Sequence, residues 1–350
     1  MFILIPALWS LLRIWGDMML MIDNLQYTLP LLISALKMSI LWSKKKALAP
    51  LIDMIAKDWT KVKLKEERNV MLKRAKITRV FAICGGFMIL LAFSITVVFP
   101  CFGLTLRHVT NLTDPGKPTP IQSYYLYDVT ESPQFELTLL MQGIGLGLSG
   151  LTYTGVDTFF GLLVLHICGQ LENLHIRLTN LGKNLNFKET LKYNIMDHVR
   201  LIRNATKSVD NASRLATETK QNLYRYDCRL VAKTEHILLQ VINQDGSGLS
   251  FMQLIWFVSA GLCVLLHMCL YCLVGEFLST QSEGISHATY EYVWYTLEPN
   301  IAKNLILIML RAKKPLHITA GKMFPMTMTT FCNLLKTSAG YISVLLANRN

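Results

Sequence analysis

A few residues in this chain have types and spacings that chemistry uses. Asp157 is the lone acid inside a long apolar stretch, 137–171. An ionisable group in hydrocarbon is costly, so it is a functional candidate by default. Its place near the cytoplasmic half fits a capping or interhelical hydrogen-bonding role equally well. His267 lies in a second uncharged stretch, 246–275. No further ligand is spaced to help it hold a metal, so it reads as a core histidine. Cys269-Leu-Tyr-Cys272 has the spacing of a redox dithiol, but no βαβ pattern surrounds it. In an apolar stretch cysteine packs as a small hydrophobe. Gly143-x-Gly145-x-Gly147-x-x-Gly150 has the look of a phosphate loop but follows no strand. Small residues there let helices approach closely. No Walker A sequence, dinucleotide fingerprint, His-Glu-x-x-His helix or catalytic triad occurs. These residues argue against an enzyme and predict no cofactor and no metal.

The elements that carry them are set by composition. Of 350 residues, 52% are hydrophobic and 17% charged. Soluble domains carry about 25% charged residues. Mean hydropathy is +0.35. Stretches of about 20 apolar residues are long enough to cross a bilayer as helices. Residues 80–106 and 246–275 hold no charge, and 137–171 holds only Asp157. Residues 24–43 hold Lys37, and 323–348 hold Lys336. A sixth stretch, 1–21, is broken by Arg13 and Asp17. It has no basic leader and begins as an abrupt span, not as a cleaved signal. The expected fold is therefore all-α, a polytopic helical bundle with five or six clear spans. The alternating ten-residue segments of a β-barrel are missing. Several stretches exceed the bilayer minimum, so some helices should tilt or project into water.

Net charge is +12, which in a membrane chain speaks for loop orientation and not for nucleic acid. Residues 43–79 hold 12 Lys/Arg against 4 Asp/Glu; residues 105–136 hold 2 against 4. The first is expected in the cytoplasm and the second outside. Residues 169–248 and 279–322 are also basic, which would put both flanks of the 246–275 span on one side. A hidden crossing within 172–245 would resolve this, yet no 18-residue apolar run exists there. Asn111-Leu-Thr113 is expected to carry sugar, and Asn204-Ala-Thr206 and Asn211-Ala-Ser213 to stay bare.

The last third carries the most specific pattern. It contains Gly275-Glu276, Ser279, Ser282, Tyr290 and Trp294-Tyr295. Arg311-Ala-Lys-Lys-Pro315, Thr319-Ala-Gly321, Thr330-Phe331, Leu335-Lys336-Thr-Ser338 and Tyr341 follow. In order and spacing this resembles the insect odorant receptor family. Asp58-Trp59, Tyr127-Asp128, Ser132-Pro133 and Gln170-Leu-x-x-Leu174 agree with it. The Trp294-Tyr295 and Thr330-Phe331 contexts separate it from the sister gustatory receptors, which stand as the alternative. A G-protein-coupled receptor would need an outside amino terminus, against the charge pattern.

The resemblance implies a seven-helix fold of inverted topology in the plasma membrane, with a cytoplasmic amino terminus. It implies a ligand-tuned subunit that forms a heterotetrameric cation channel with a shared co-receptor subunit and opens to small volatile odorants. On this map 1–21 is a partial first helix and 24–43, 80–104, 137–168, 250–276 and 323–347 are the second, third, fourth, sixth and seventh. Residues 172–245 are a degenerate fifth-helix region. The expectation is a chain that is incomplete, a mispredicted splice form or a decayed, non-functional copy. The family's pocket lies in the outer half of the bundle, where depth selects Tyr27, Phe93, Val97, Met141, Ile144 and Trp256. The seventh helix lines the pore, which puts Val344 and Leu345 at the gate. Thr330, Lys336, Ser338 and Tyr341 match motif positions expected at subunit contacts.

Overall fold

The computed structural model describes residues 2–102, 117–181, 187–206, 251–291, 294–320 and 324–347. Helix α1 is Leu4–Arg13, α2 Met18–Ser43, α3 Lys45–Thr60 and α4 Lys65–Phe93. The chain continues from α4 through a π turn, Ser94–Val98, and a 3-10 turn, Phe99–Phe102. Helix α5 is Gln134–Thr179, α6 spans 187–206, α7 is Phe251–Glu291 and α8 Pro299–Ala312. A two-stranded hairpin, β1 Thr319–Ala320 and β2 Phe324–Pro325, precedes α9, Met328–Ala347.

Between Arg13, the end of α1, and Met18, the start of α2, the helix is interrupted. Gly16 sits at φ 108°, a left-handed conformation that favours glycine. Asp17 Oδ1 then accepts the Leu20 N–H and starts α2. The helices also outrun the apolar stretches. Helix α4 begins at Lys65, with Glu66 and Glu67 in its first turn where acids suit the helix dipole.

Four described helical segments are long and apolar enough to cross a membrane: Asp23–Ser43, Lys65–Val98, Gln134–Thr179 and Gly261–Glu291. Their outward stripes are apolar. Val80, Ile83, Phe87 and Leu90 are exposed along α4, and Leu137, Met141, Ile144, Leu148 and Leu151 along α5. Spacings of three and four residues place each set on one helix face, as a lipid-facing surface requires.

Helix α5 is the axis of the bundle. One end, here the upper end, carries the loop 117–133; the lower end carries α3. Helix α4 runs against α5, because Glu67 meets Arg177 below while Val97 meets the Gly143 position above. Helix α7 runs with α5: Tyr271 meets Asp157, and farther down Gly284 meets His175. Helices α5 and α7 therefore run parallel. The main apolar core lies low, where Val164, Leu171, Leu174 and Leu178 of α5 pack with Val274, Leu278 and Ile285 of α7 and Leu305 and Ile308 of α8.

Candidate functional site

The bundle presents a roof, walls, a floor and a base. The roof is the loop after residue 117, folded down between α1, α2 and α5. Gln142, buried on α5, holds it. Its Oε1 accepts the Ile121 N–H at 3.0 Å, and its Nε2 donates to Ser123 Oγ at 2.8 Å and Tyr125 OH at 3.2 Å. Asn24 on α2 donates to the Ala7 and Gln122 carbonyls, both at 3.2 Å. Ile121 itself joins an apolar cluster with Ile3, Ala7, Tyr27 and Leu31. Sequence reasoning missed Asn24 and Gln142. Their signal was an uncharged amide inside an apolar helix, a group that needs partners when buried.

The walls contain the residues selected by depth. Tyr27 is buried in the cluster under the roof. Phe93 and Val97, at the α4 end and in the π turn, face Gly147 and Gly143. A side-chain carbon on Gly147 would lie 3.5 Å from the Phe93 ring, and one on Gly143 would lie 3.4 Å from Val97 Cγ1. Gly150 meets Ile89 in the same way. The glycine run is thus a close-packing face. Met141 and Ile144 are 47% and 50% exposed and lie on the outward stripe of α5. Depth counts rise along a helix but ignores the ~100° turn per residue. Trp256 lies on α7, with its side chain outside the described residues.

The floor gathers three ionisable residues that the sequence displayed separately. Lys37 Nζ of α2 lies 2.8 Å from both oxygens of Asp157. Tyr271 OH of α7 donates to Asp157 Oδ1. His267 Nε2 lies 3.7 Å from Asp157 Oδ2. His267 Nδ1 donates to the Cys263 carbonyl at 2.7 Å; a carbonyl can only accept, which assigns the proton to Nδ1. Tyr153 closes the group, its ring 3.6 Å from Lys37 Nζ and 5.1 Å from the His267 ring. Lys37, Asp157, His267 and Tyr271 are each under 10% exposed. Along α5 the floor lies 15 residues below Gln142, about 22 Å at 1.5 Å per residue.

The base is an ionic network joining α3, α4, α5 and α6. Asp58 accepts Lys61 and Arg200, each at 3.0 Å, and lies 3.3 Å from His166 Nε2. Burial alone would raise the Asp58 pKa, but hydrogen bonds from His166, Lys61 and Arg200 outweigh it and hold the carboxyl well below its ordinary value. Arg200 continues to Asp197, which also accepts Arg177, and Arg177 reaches Glu67 at 2.6 Å. Burial, with Arg311 nearby, pulls the neighbouring His198 down to about 4. Asn204 Nδ2 lies 2.9 Å from Met54 Sδ, which packs it against α3.

The tail motif forms a junction between α7 and α9. The Met326 carbonyl oxygen abuts Gly275, where any side chain would collide with it. Glu276 Oε2 accepts the Met328 N–H at 3.3 Å, and Ser282 Oγ accepts the Leu316 N–H at 3.2 Å. Thr330 Oγ1 donates to the Pro325 carbonyl at 2.8 Å, within its own subunit. Above this junction α9 leaves Asn333, Lys336, Thr337, Gly340 and Ser343 exposed, while Ser338 is half-buried. Tyr341, Val344 and Leu345 lie on α9 with side chains outside the described residues. Asn111 and Asn211 also lie outside them. The Cys269–Cys272 pair is within α7, Cys272 fully buried. Among the described residues no cluster of three or more His, Cys, Asp or Glu could hold a metal.

Comparison with known proteins gives this architecture a family context. A family model described as 7tm Odorant receptor matches residues 17–218 and 240–339. The chain is 23% identical over 347 residues to odorant receptor Or2 of Anopheles gambiae, covering 95% of this chain and 85% of that protein. It is 24% identical over 303 residues to odorant receptor 30a of Drosophila melanogaster, covering 85% and 70%. The solved olfactory receptor OR5 of Machilis hrabei in complex with eugenol superposes with a TM-score of 0.80 at 17% identity, over 98% of this chain and 85% of that one.

Proposed function

Because the chain belongs to the 7tm odorant receptor family, we propose that it is the ligand-tuned subunit of an odorant-gated cation channel, assembled with the shared co-receptor. The observation that carries this reading is the polar stripe of α9. Asn333, Lys336, Thr337, Gly340 and Ser343 share one face and are all exposed. Facing lipid, that stripe would be costly; facing water or another subunit, it is satisfied. Four such helices around an axis supply both surroundings. Residue 344 falls on the same register, four residues after Gly340, and Val344 is assigned to a hydrophobic constriction that gates by dewetting. Leu345 supports it from the adjacent position. Lys336, Ser338 and Tyr341 are assigned to the subunit contact, and Thr330 shapes the turn that launches α9.

The volatile ligand sits between roof and floor, against Tyr27, Phe93, Val97 and the Trp256 turn of α7. Met141 and Ile144 are assigned to lipid or a neighbouring subunit. Binding favours the open arrangement through contacts that are stronger in that state. The reading assigns no catalytic step, places the amino terminus in the cytoplasm and places the assembly in the plasma membrane. In support, α3 of the basic segment and the loop 117–133 of the acidic segment lie toward opposite ends of α5.

The decisive experiment is co-expression with the co-receptor in oocytes under voltage clamp, with a panel of volatiles. Currents should require both subunits and persist when G-protein signalling is blocked. Currents that need G proteins, or that arise without the co-receptor, overturn the proposal. Val344→Ser should raise the basal leak, and an unchanged leak removes the gate assignment. Glycosidase treatment should shift the protein through Asn111 and not through Asn204, whose amide is packed against Met54; sugar on Asn204 inverts the topology.

A further inference from the structure

The floor cluster is more elaborate than packing requires. Burying a carboxylate and an ammonium costs several kcal/mol per ion, and well-packed apolar residues commonly do as well for stability. Here the Asp157 carboxylate gathers partners from two other helices: Lys37 from α2, and Tyr271 and His267 from α7. Lys37 is closed in by the Tyr153 ring, and Tyr271 by Phe160 at 5.5 Å between ring centroids. The Asp157 oxygens, shared between Lys37 of α2 and the Tyr271 hydroxyl of α7, fix both the height and the rotation of α7 against α2 and α5.

The same stretch of α7 carries the first turn of α9. Gly275 and Glu276, the residues that receive Met326 and Met328, follow Tyr271 by four and five residues. At 1.5 Å per residue that is about 6–8 Å, little more than one turn. One segment of α7 therefore bears the Asp157 contact on one turn and the α9 junction on the next, Tyr271 and Gly275 sharing a face at i and i+4.

We propose that Asp157 is a positioning residue for gating. Through the Tyr271 hydroxyl it locks α7 to the α2–α5 pair, so that displacement of the ligand-lined walls is delivered to the start of α9. This rests on the channel reading above. The lock acts by orientation: an apolar pair in place of the ions can keep the helices packed, but it offers Tyr271 OH no acceptor and leaves the rotation of α7 undefined.

The test uses the complex with the co-receptor in oocytes. It reads the ratio of odorant-evoked to basal conductance, normalised to surface density, and the thermal unfolding of the detergent-purified complex. Asp157→Asn and Tyr271→Phe should each lower the conductance ratio by about 2- to 30-fold, the range that coupling residues command. The double variant Lys37→Met/Asp157→Leu should melt like the parent, since apolar replacement of a buried ion pair is commonly neutral, yet keep the low ratio. A double variant that gates like the parent makes the cluster a packing device and overturns the inference. Tyr271→Phe leaves the ion pair intact and decides the matter if Asp157→Asn fails to reach the surface; an unchanged ratio in it also overturns the inference. A parent complex silent to every volatile refutes the channel reading first, and the assignment falls with it. A responsive parent with unmoved variants refutes the assignment alone.

Discussion

Gln142→Leu tests the roof at a single amide. The native side chain accepts the Ile121 N–H and donates to Ser123 and Tyr125, and both Ile121 and Gln142 are fully buried. Leucine has nearly the same bulk, so the change removes polar contacts and leaves little cavity. A buried N–H left without an acceptor costs about 1–3 kcal/mol, and each lost neutral bond about 1 kcal/mol. Some apolar gain from leucine offsets part of that sum, which leaves about 3 kcal/mol against the docked loop. At 1.4 kcal/mol per decade this multiplies the undocked population by about 100. Hydrogen exchange with mass spectrometry on the purified receptor reads it directly: Ile121 should lose about two decades of protection. Leu140→Ala, on the exposed stripe of the same helix, should leave it unchanged. If the roof covers the ligand site, current onset and decay should both quicken in Gln142→Leu. Unaltered protection of Ile121 would falsify the reasoning at its root, because the bond to Gln142 would then not be what holds the loop.

Acid should loosen the base of the bundle before it touches the carboxylates. His198 is held at about 4, below its ordinary 6.5, so the folded form keeps it neutral while the unfolded chain protonates it. Its contribution is full above pH 6.5 and is lost as pH falls toward 4; at pH 5 the loss is about 2 kcal/mol. Thermal melts at pH 7 and pH 5 should show this destabilisation, and His198→Gln should flatten it; an equal pH slope in the variant contradicts the assignment. Gly275→Ala should displace the start of α9, since the added methyl meets the Met326 carbonyl oxygen and lies 3.2 Å from its carbon. The overpacking should cost about 1–3 kcal/mol, visible as a lowered melting point together with altered basal current. A silent alanine there would mean that the junction yields.

How much of this was visible in the chain depends on what each feature is made of. Long apolar helices were legible because bilayer crossing demands long apolar runs, and four of them stand among the described residues. Their limits were not, because α4 continues as a helix from Val80 back to Lys65 through charged residues, some buried in ion pairs such as Glu67 and Arg74, that no lipid constraint selects. The packing role of Gly143, Gly147 and Gly150 was legible, since small residues at helical spacing have few other uses. Met141 and Ile144 show the limit of that logic: hydropathy reports depth, but the facing direction comes only from neighbours. Lys37, Asp157 and His267 were each conspicuous as polar groups in apolar surroundings. Their partnership spans 120 residues between the first two and could not be inferred from local pattern. The tail motif was recognisable as a string, and the structure supplies its physical reason. Gly275, Glu276 and Ser282 are the residues against which α9 and its preceding hairpin are seated.

The wide turn at Ser94–Val98 has an evolutionary corollary. A π turn absorbs an additional residue without breaking the helix, and every position beyond it is rotated by about 100° from where an unbroken α-helix would set it. Gain or loss of one codon at this place would therefore change the facing of Val97 and of Phe99–Phe102 while Lys65–Phe93 stayed in register. Chemical tuning could then change in a single step, by reframing which residues face inward, and not by replacing them one at a time.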